Sequence, residues 1–409
     1  MSPGPLAELA SWKEIANYLG VSVKTAQLRE QNRGLPVRRL PGGRGRVWAE
    51  AAELESWKRS NAVEVSLSPV KKRVSTRVAL AVGLIVIVAI MMASLFMAKP
   101  AQPALVEVEA QGFAVKDTNG NHLWRYSSTV PLRQKWYRAE EKRGLAWVGD
   151  LNGDGAAEVL FSPQTQDSVA GWMLLCFDRS GAERWRFLPG KPVKSKGGET
   201  FHPPYGVTSV LVLPADETGQ RRIVVNSIHH LYYPSQVALL DHRGNLIREY
   251  WHSGQLHQSL RYSAGRRPLV LVAGVRNSMN EATFLALDPD SFGGASREPE
   301  PFQLEGGPPI GETARFTFPR TCINRAFQPM NVANGFSEDA GGITVHVNEL
   351  DVPPGYPEIL YHFTKRLEFL SAVPGSSFVG EHGRLHAAKK IDHELSPAEI
   401  ASLRPARIH

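Results

Sequence analysis

The sequence predicts a multidomain chain: a small α domain, one transmembrane helix and a large all-β repeat domain. Three observations carry this. The stretch Val78–Ala98, VALAVGLIVIVAIMMASLFMA, holds no charged residue. As a helix rising ~1.5 Å per residue it would be roughly 31 Å long, about the thickness of a bilayer's hydrocarbon core. Residues 1–77 hold 14 Lys/Arg against 7 Glu, and residues 99–409 hold 33 of each sign. The formal excess of +7 therefore lies wholly before the apolar stretch. Beyond residue 104 the apolar runs shorten, Gly and Pro punctuate them, and helical periodicity fades, as expected of strands.

These observations divide the chain into 1–60, an α domain; 61–77, a basic juxtamembrane linker; 78–98, the span; 99–104, a spacer; 105–395, the β repeats; and 396–409, a short C-terminal helix and tail. Lys71, Lys72, Arg73 and Arg77 precede the span and Lys99 follows it. Positive charge stays cytoplasmic, which puts the N-terminus inside and the C-terminal domain outside. A cleaved signal peptide does not fit a segment that begins at Val78. The span has Gly83 but no GxxxG pair, so it advertises no tight dimer face.

In the first domain, Ser11-Trp12-Lys13-Glu14 forms a capping box that opens a helix ending at Gly20. Ser22 caps a second helix over Val23–Arg33, stopped by Gly34. Two short helices joined by a tight turn read as a helix-turn-helix. The second would present Lys24, Thr25, Gln27 and Arg29 to the major groove. A β-hairpin around Pro41-Gly42-Gly43-Arg44-Gly45 follows, with Arg38, Arg39, Arg44 and Arg46 placed to meet phosphate or the minor groove. A third helix over about 50–59 packs Leu54 and Trp57 back onto the first.

The run SWKEIANYLGVSVKTAQ…GLPVRRLPGGRGRVWA resembles the winged helix-turn-helix of the excisionase and mercury-regulator type, over residues 8–60. Such domains open many bacterial membrane-anchored one-component regulators. One departure is Leu28-Arg29-Glu30, where that family usually has an aromatic residue. The resemblance implies DNA as partner of residues 1–60; the apolar stretch makes the membrane the partner of residues 78–98, and because one winged domain buries little DNA surface a homodimer is expected when active. The outer domain would then be periplasmic.

The β part repeats one motif, strand, Asp-led turn and returning strand, at Asp117, Asp178, Asp241 and Asp288, with spacings of 61, 63 and 47. A second alternates with it, its strands opening at Glu158, Arg222, Pro268 and Glu358, with room for a diverged copy around 311–318. Units of ~40–50 residues built of hairpins are the size of propeller blades, and give about six or seven. Ser396-Pro397-Ala398-Glu399 is the capped start of a short terminal helix. Cys176 and Cys322 either pair or stay buried separately.

Asp150-Leu151-Asn152-Gly153-Asp154-Gly155-Ala156-Ala157-Glu158 carries the one local motif with metal chemistry. Side-chain oxygens of Asp150, Asn152, Asp154 and Glu158, with the Ala156 carbonyl, can surround a hard cation, and Ca²⁺ takes ~6–8 oxygens. The alternative is an Asx-rich turn without an ion. The loop resembles the calcium loop of FG-GAP/VCBS repeats in integrin-type propellers, although those more often end in Asp. That resemblance implies one structural Ca²⁺.

His202, His229, His230, His242, His252 and His257 show no metal-ligand spacing with the cysteines, and there is no HExxH, so no enzyme is expected. His229-His230 beside Tyr232-Tyr233 reads as a blade edge or a pocket lining. Trp124, Trp185, Tyr205, Tyr232 and Trp251 are inter-blade core or line a ligand face. The leading function is a membrane-anchored transcriptional regulator whose propeller senses a ligand or partner. The alternative is an envelope binding or scaffold protein whose propeller docks proteins or glycans, with the N-terminal domain a non-DNA adaptor.

Overall fold

The computed structural model describes residues 8–39, 47–61, 101–166, 171–264, 267–351 and 356–408. The chain divides into two compact units, Met1–Ala98 and Lys99–His409.

In the first unit, helix α1 (Trp12–Tyr18) starts at Ser11, whose hydroxyl accepts from the Glu14 amide at 3.2 Å. The Glu14 carboxylate returns a bond to the Ala10 amide at 2.9 Å. Helix α2 (Val23–Arg33) is capped by Ser22 and ends at Gly34 in the left-handed region, φ +59°. Helix α3 (Ala51–Ser60) follows the strand Val47–Glu50, which pairs with Glu8–Leu9 on one side and Arg38–Arg39 on the other. Ile15, Leu19, Leu35, Val47 and Leu54 form its small core.

The second unit is a series of antiparallel sheets in chain order. Sheet one holds Leu105–Glu109, Gly112–Lys116 and His122–Ser127. Sheet two holds Ala146–Gly149, Glu158–Phe161, Leu174–Phe177 and Glu183–Phe187. Sheet three holds Tyr205–Val212, Ile223–His229, Ser235–Leu240 and Leu246–His252, with Gly294–Ala295 added in parallel at its edge. Sheet four holds Leu256–Ala264, Arg267–Arg276, Glu281–Leu287 and Glu312–Phe318, with Ala406–Arg407 along its outer edge. Sheet five holds Val332–Glu338, Gly342–Asn348, Glu358–Thr364 and Phe369–Pro374. Helices α4 (Cys322–Phe327), α5 (Ser376–Ala387) and α6 (Pro397–Ser402) flank the last two sheets.

Hydrophobic layers separate successive sheets. Phe113, Phe161 and Phe177 fill the first, and Leu160, Val207 and Val225 the second. Val237, Val270 and Leu285 fill the third, and Phe284, Phe316, Val345 and Phe363 the fourth. Central strands covered on both faces read as near-continuous apolar runs, which is why their alternation is weak. Ile223–His229 is buried along its whole length.

Two expectations are corrected here. The six- or seven-bladed propeller is not found. Among the described residues five sheets of three or more strands occur in this unit, and there is no closed propeller. The physical reason is at the ends: no described strand of sheet five pairs with sheet one, and no hydrophobic layer joins them. The fold is mainly β, in several small sheets.

The single-pass membrane assignment, with its cytoplasmic and periplasmic sides, is not supported by the described residues. The expected span at 78–98 lies outside the described residues. Among the described residues no helix is long and apolar enough to cross a membrane. The 12-residue α5 would extend only ~18 Å, against a ~30 Å hydrocarbon core.

Candidate binding site

Loops of all five sheets converge on one cavity of about 800 Å³ in the second unit. A short 3₁₀ turn, Gln134–Tyr137, follows sheet one and delivers Trp136. Its ring meets Trp172 edge-on at 5.0 Å between centroids. Arg143 lies 4.7 Å over Trp136, and Arg133 lies 4.9 Å over it and 5.4 Å over Trp172. A guanidinium held on an aromatic face keeps its planar donor fork aimed in a fixed direction.

Backbone acceptors fix these groups further. Arg133 donates from Nε to the Thr165 carbonyl at 3.2 Å, and the Trp172 indole N–H donates to the same carbonyl at 3.0 Å. Arg143 pairs with Glu141 at 3.3 Å. Lys135 is exposed at the rim. Sheets three and four contribute Thr208, His230, Tyr232, Gln255 and His257. Sheet five and its preceding loop contribute Asn334, Asn348, Glu349, Asp351 and Tyr356. Two bonds tie opposite walls: Lys142 Nζ to the Phe336 carbonyl at 3.0 Å, and Gln258 Nε2 to the Glu141 carbonyl at 3.3 Å.

Burial shifts two acid–base groups of the cavity, His257 and Glu349. Burial pushes His257 down to about 4, with Arg143 adding to the effect, so it is neutral at pH 7. Burial raises Glu349 above the usual carboxylate range. Its oxygens accept from the Thr321 amide at 3.1 Å, the Thr321 hydroxyl at 2.9 Å and Asn331 at 2.9 Å. It is therefore a structural acceptor.

Of the histidine–tyrosine stretch, His230 and Tyr232 reach this lining. His229 packs on Phe201 and Tyr205, and Tyr233 on Phe201. Trp124 and Trp185 pack between sheets, and Tyr205 and Trp251 are buried against each other. Trp136, Trp172, Arg133 and Arg143 were not singled out in the sequence. They sit in irregular connections with no shared spacing, so no local pattern marks them.

The Asp150–Glu158 loop folds on itself. Asp150 accepts from the Gly153 amide at 2.7 Å and the Gly155 amide at 2.8 Å. Asp154 accepts from the Ala156 amide at 2.7 Å, which with Asn152 holds it below the usual carboxylate range. Asn152 accepts from the Asp154 amide at 2.8 Å. Glu158 differs: it is buried and ion-paired to Arg184 at 3.1 Å, and accepts from the Leu151 amide at 3.0 Å. Desolvation raises its carboxyl against those partners. The loop thus gathers Asp150, Asn152, Asp154, the Ala156 carbonyl and Glu158, oxygen donors of the kind a hard cation takes, with the Asp and Asn oxygens engaged by the loop's own N–H groups and Glu158 also paired to Arg184.

Cys176 and Cys322 are both free thiols. Cys176 is buried in sheet two, and desolvation pushes it up to about 12, so it is unreactive.

The nucleic-acid reading of the first unit is corrected. Arg38 pairs with Glu53 and Glu50 and lies 5.0 Å over Trp48. Arg39 donates to both oxygens of Glu30, at 3.1 and 3.0 Å. Their charges are answered by carboxylates of the same domain, while both side chains stay more than half exposed. The Thr25 hydroxyl lies 2.7 Å from the Ser22 hydroxyl, inside the helix cap. Lys24 is exposed, and Gln27 and Arg29 are half-buried on α2. Arg44 and Arg46 lie outside the described residues.

No protein-family model and no curated protein sequence matches the chain. The resemblance to excisionase-type regulators and to FG-GAP/VCBS propellers is corrected accordingly, and nothing supports DNA binding or regulation. The short helix and turn signals behind it are generic devices of helix ends. Among solved structures, the chain is similar to the Vibrio cholerae biofilm matrix protein Bap1, at 10% identity and a TM-score of 0.23, covering 67% of each chain. A likeness that weak assigns neither fold nor function.

Proposed function

We propose that this is a non-catalytic binding or scaffold protein, and that its β unit takes a hydroxyl-rich, acidic ligand such as a uronic-acid oligosaccharide. The observation that carries the reading is the convergence of five sheets on one cavity lined by Trp136 and Trp172 under two oriented arginines. The half-buried Trp136 offers aromatic area to one side of a sugar ring, and the buried Trp172 holds it edge-on. The arginine forks and Lys135 suit carboxylates, and Asn334, Asn348 and Thr208 suit hydroxyls. The neutral His257 and the fully engaged Glu349 favour holding a ligand over reacting with it. The first unit, with Arg38 and Arg39 paired internally, serves as an adaptor. Tryptophan fluorescence titrated with uronic-acid and neutral oligosaccharides tests this. Saturable quenching by the acidic series, without cleavage of it, is expected. No response to any saccharide, or turnover, contradicts it.

The loop of residues 150–158 is proposed to bind one Ca²⁺ through Asp150, Asn152, Asp154 and the Ala156 carbonyl, as a stiffener of sheet two. Thermal stability with Ca²⁺ against a chelator is the check. A higher Tm with Ca²⁺, abolished by Asp154→Ala, is expected; indifference to both sinks the metal.

A further inference from the structure

A second group of side chains, none of which lines the cavity, gathers at the C-terminal end of the β unit. Cys322 is the first residue of α4, His382 lies on α5, His393 on the connection that follows, and Glu399 in the first turn of α6. One potential ligand atom from each lies within 4.8 Å of all the others. The sequence separations are 60, 11 and 6 residues, so no motif announces the group.

The geometry points to a closed, tetrahedral site for a Zn²⁺-class ion held by Cys322, His382, His393 and Glu399. Zn–S of ~2.3 Å and Zn–N or Zn–O of ~2.0 Å at the tetrahedral angle require about 3.6 Å between S and N, and about 3.3 Å between N and O. Cys322 Sγ lies 3.7 Å from His382 Nε2, and His393 Nε2 lies 3.3 Å from Glu399 Oε2. Glu399 Oε2 is shielded from solvent and faces the imidazole of His393. His393 Nδ1 is 2.8 Å from Asp392 Oδ1. That is the carboxylate–imidazole arrangement that fixes the tautomer and leaves Nε2 to a metal.

The donor set also selects the ion. One thiolate, two imidazoles and one carboxylate suit Zn²⁺ rather than Ca²⁺ or Mg²⁺, which want oxygen. Four protein ligands leave no open position, so the role is structural. The ion would pin α4, α5 and α6 together where Phe378, Leu385 and Leu403 enter the core of sheets four and five.

The test uses the full chain, stripped with a chelator and titrated with Zn²⁺ against a chromophoric competitor, and with Co²⁺ for its spectrum. One Zn²⁺ per chain is expected, and Co²⁺ should give tetrahedral visible bands with a thiolate charge-transfer band. Cys322→Ser should abolish that band. His393 is 44% exposed, so His393→Ala should leave the metal-free fold and its Tm unchanged while weakening Zn²⁺ at least about tenfold. Asp392→Asn should weaken it about 10–100-fold. Absence of stoichiometric Zn²⁺, a Co²⁺ spectrum without thiolate, or affinity unchanged in His393→Ala overturns the site.

Discussion

At the residue scale, the most demanding group is Arg315, fully buried between sheets three and four. It donates to Glu312 at 2.7 and 2.9 Å, to Glu298 at 3.0 Å and to the Tyr250 hydroxyl at 3.2 Å. Glu298 is also held by Arg276 at 2.7 Å, so two cations meet two carboxylates. Removing one member leaves an uncompensated buried charge. Arg315→Ala is therefore expected to cost about 3–5 kcal/mol, read as a lowered denaturant midpoint. His252 stands beside this network, and burial pushes it down to about 4. Between pH 6.5 and 4 the unfolded chain binds the proton that the folded chain refuses. Stability is thus full above about pH 6.5 and falls as pH drops. From pH 7 to 5 the loss is about 2 kcal/mol for such a histidine, and His252→Asn should show a smaller pH-dependent loss in urea titrations.

At the scale of elements, the Asp-led turns were legible, and the structure gives their reason. Asp117, Asp178 and Asp241 each accept two backbone amides of their own turn. The returning strand then carries a tryptophan onto the next sheet's turn. The Trp124 indole donates to the Arg179 carbonyl at 3.1 Å, and the Trp185 indole to the His242 carbonyl at 3.1 Å. The glycine of each receiving turn is required twice over. Gly244 has φ +80°, and a Cβ there would sit 2.6 Å from the Trp185 ring. Gly244→Ala should cost roughly 2–4 kcal/mol, through the left-handed backbone and the displaced indole, measured by thermal unfolding. The third receiving position breaks the pattern: after Asp288, residues 289–311 intervene before the returning strand Glu312–Phe318. Local turn chemistry was readable because it lies within five residues. Which sheet faces which was not, because it depends on contacts across the whole unit.

At the scale of the whole molecule, sequence reasoning went astray for two physical reasons. A regular hairpin period implies sheets in series, but ring closure needs an added pairing between the ends, and period alone does not encode it. Charge segregation is real in composition, yet Arg38 and Arg39 spend theirs on Glu50, Glu53 and Glu30 inside the domain. The cavity was illegible for the opposite reason: Arg133, Trp136, Arg143 and Trp172 make sense together only after folding. The direct test is calorimetric titration of a uronic-acid oligosaccharide into the wild type, Trp136→Ala, Arg143→Ala and the exposed control Leu188→Ser. We predict saturable binding, weakened about tenfold or more in the two cavity variants at unchanged fold, and retained in Leu188→Ser. Equal affinity in all four proteins, or no binding to any, would contradict the assignment of the cavity.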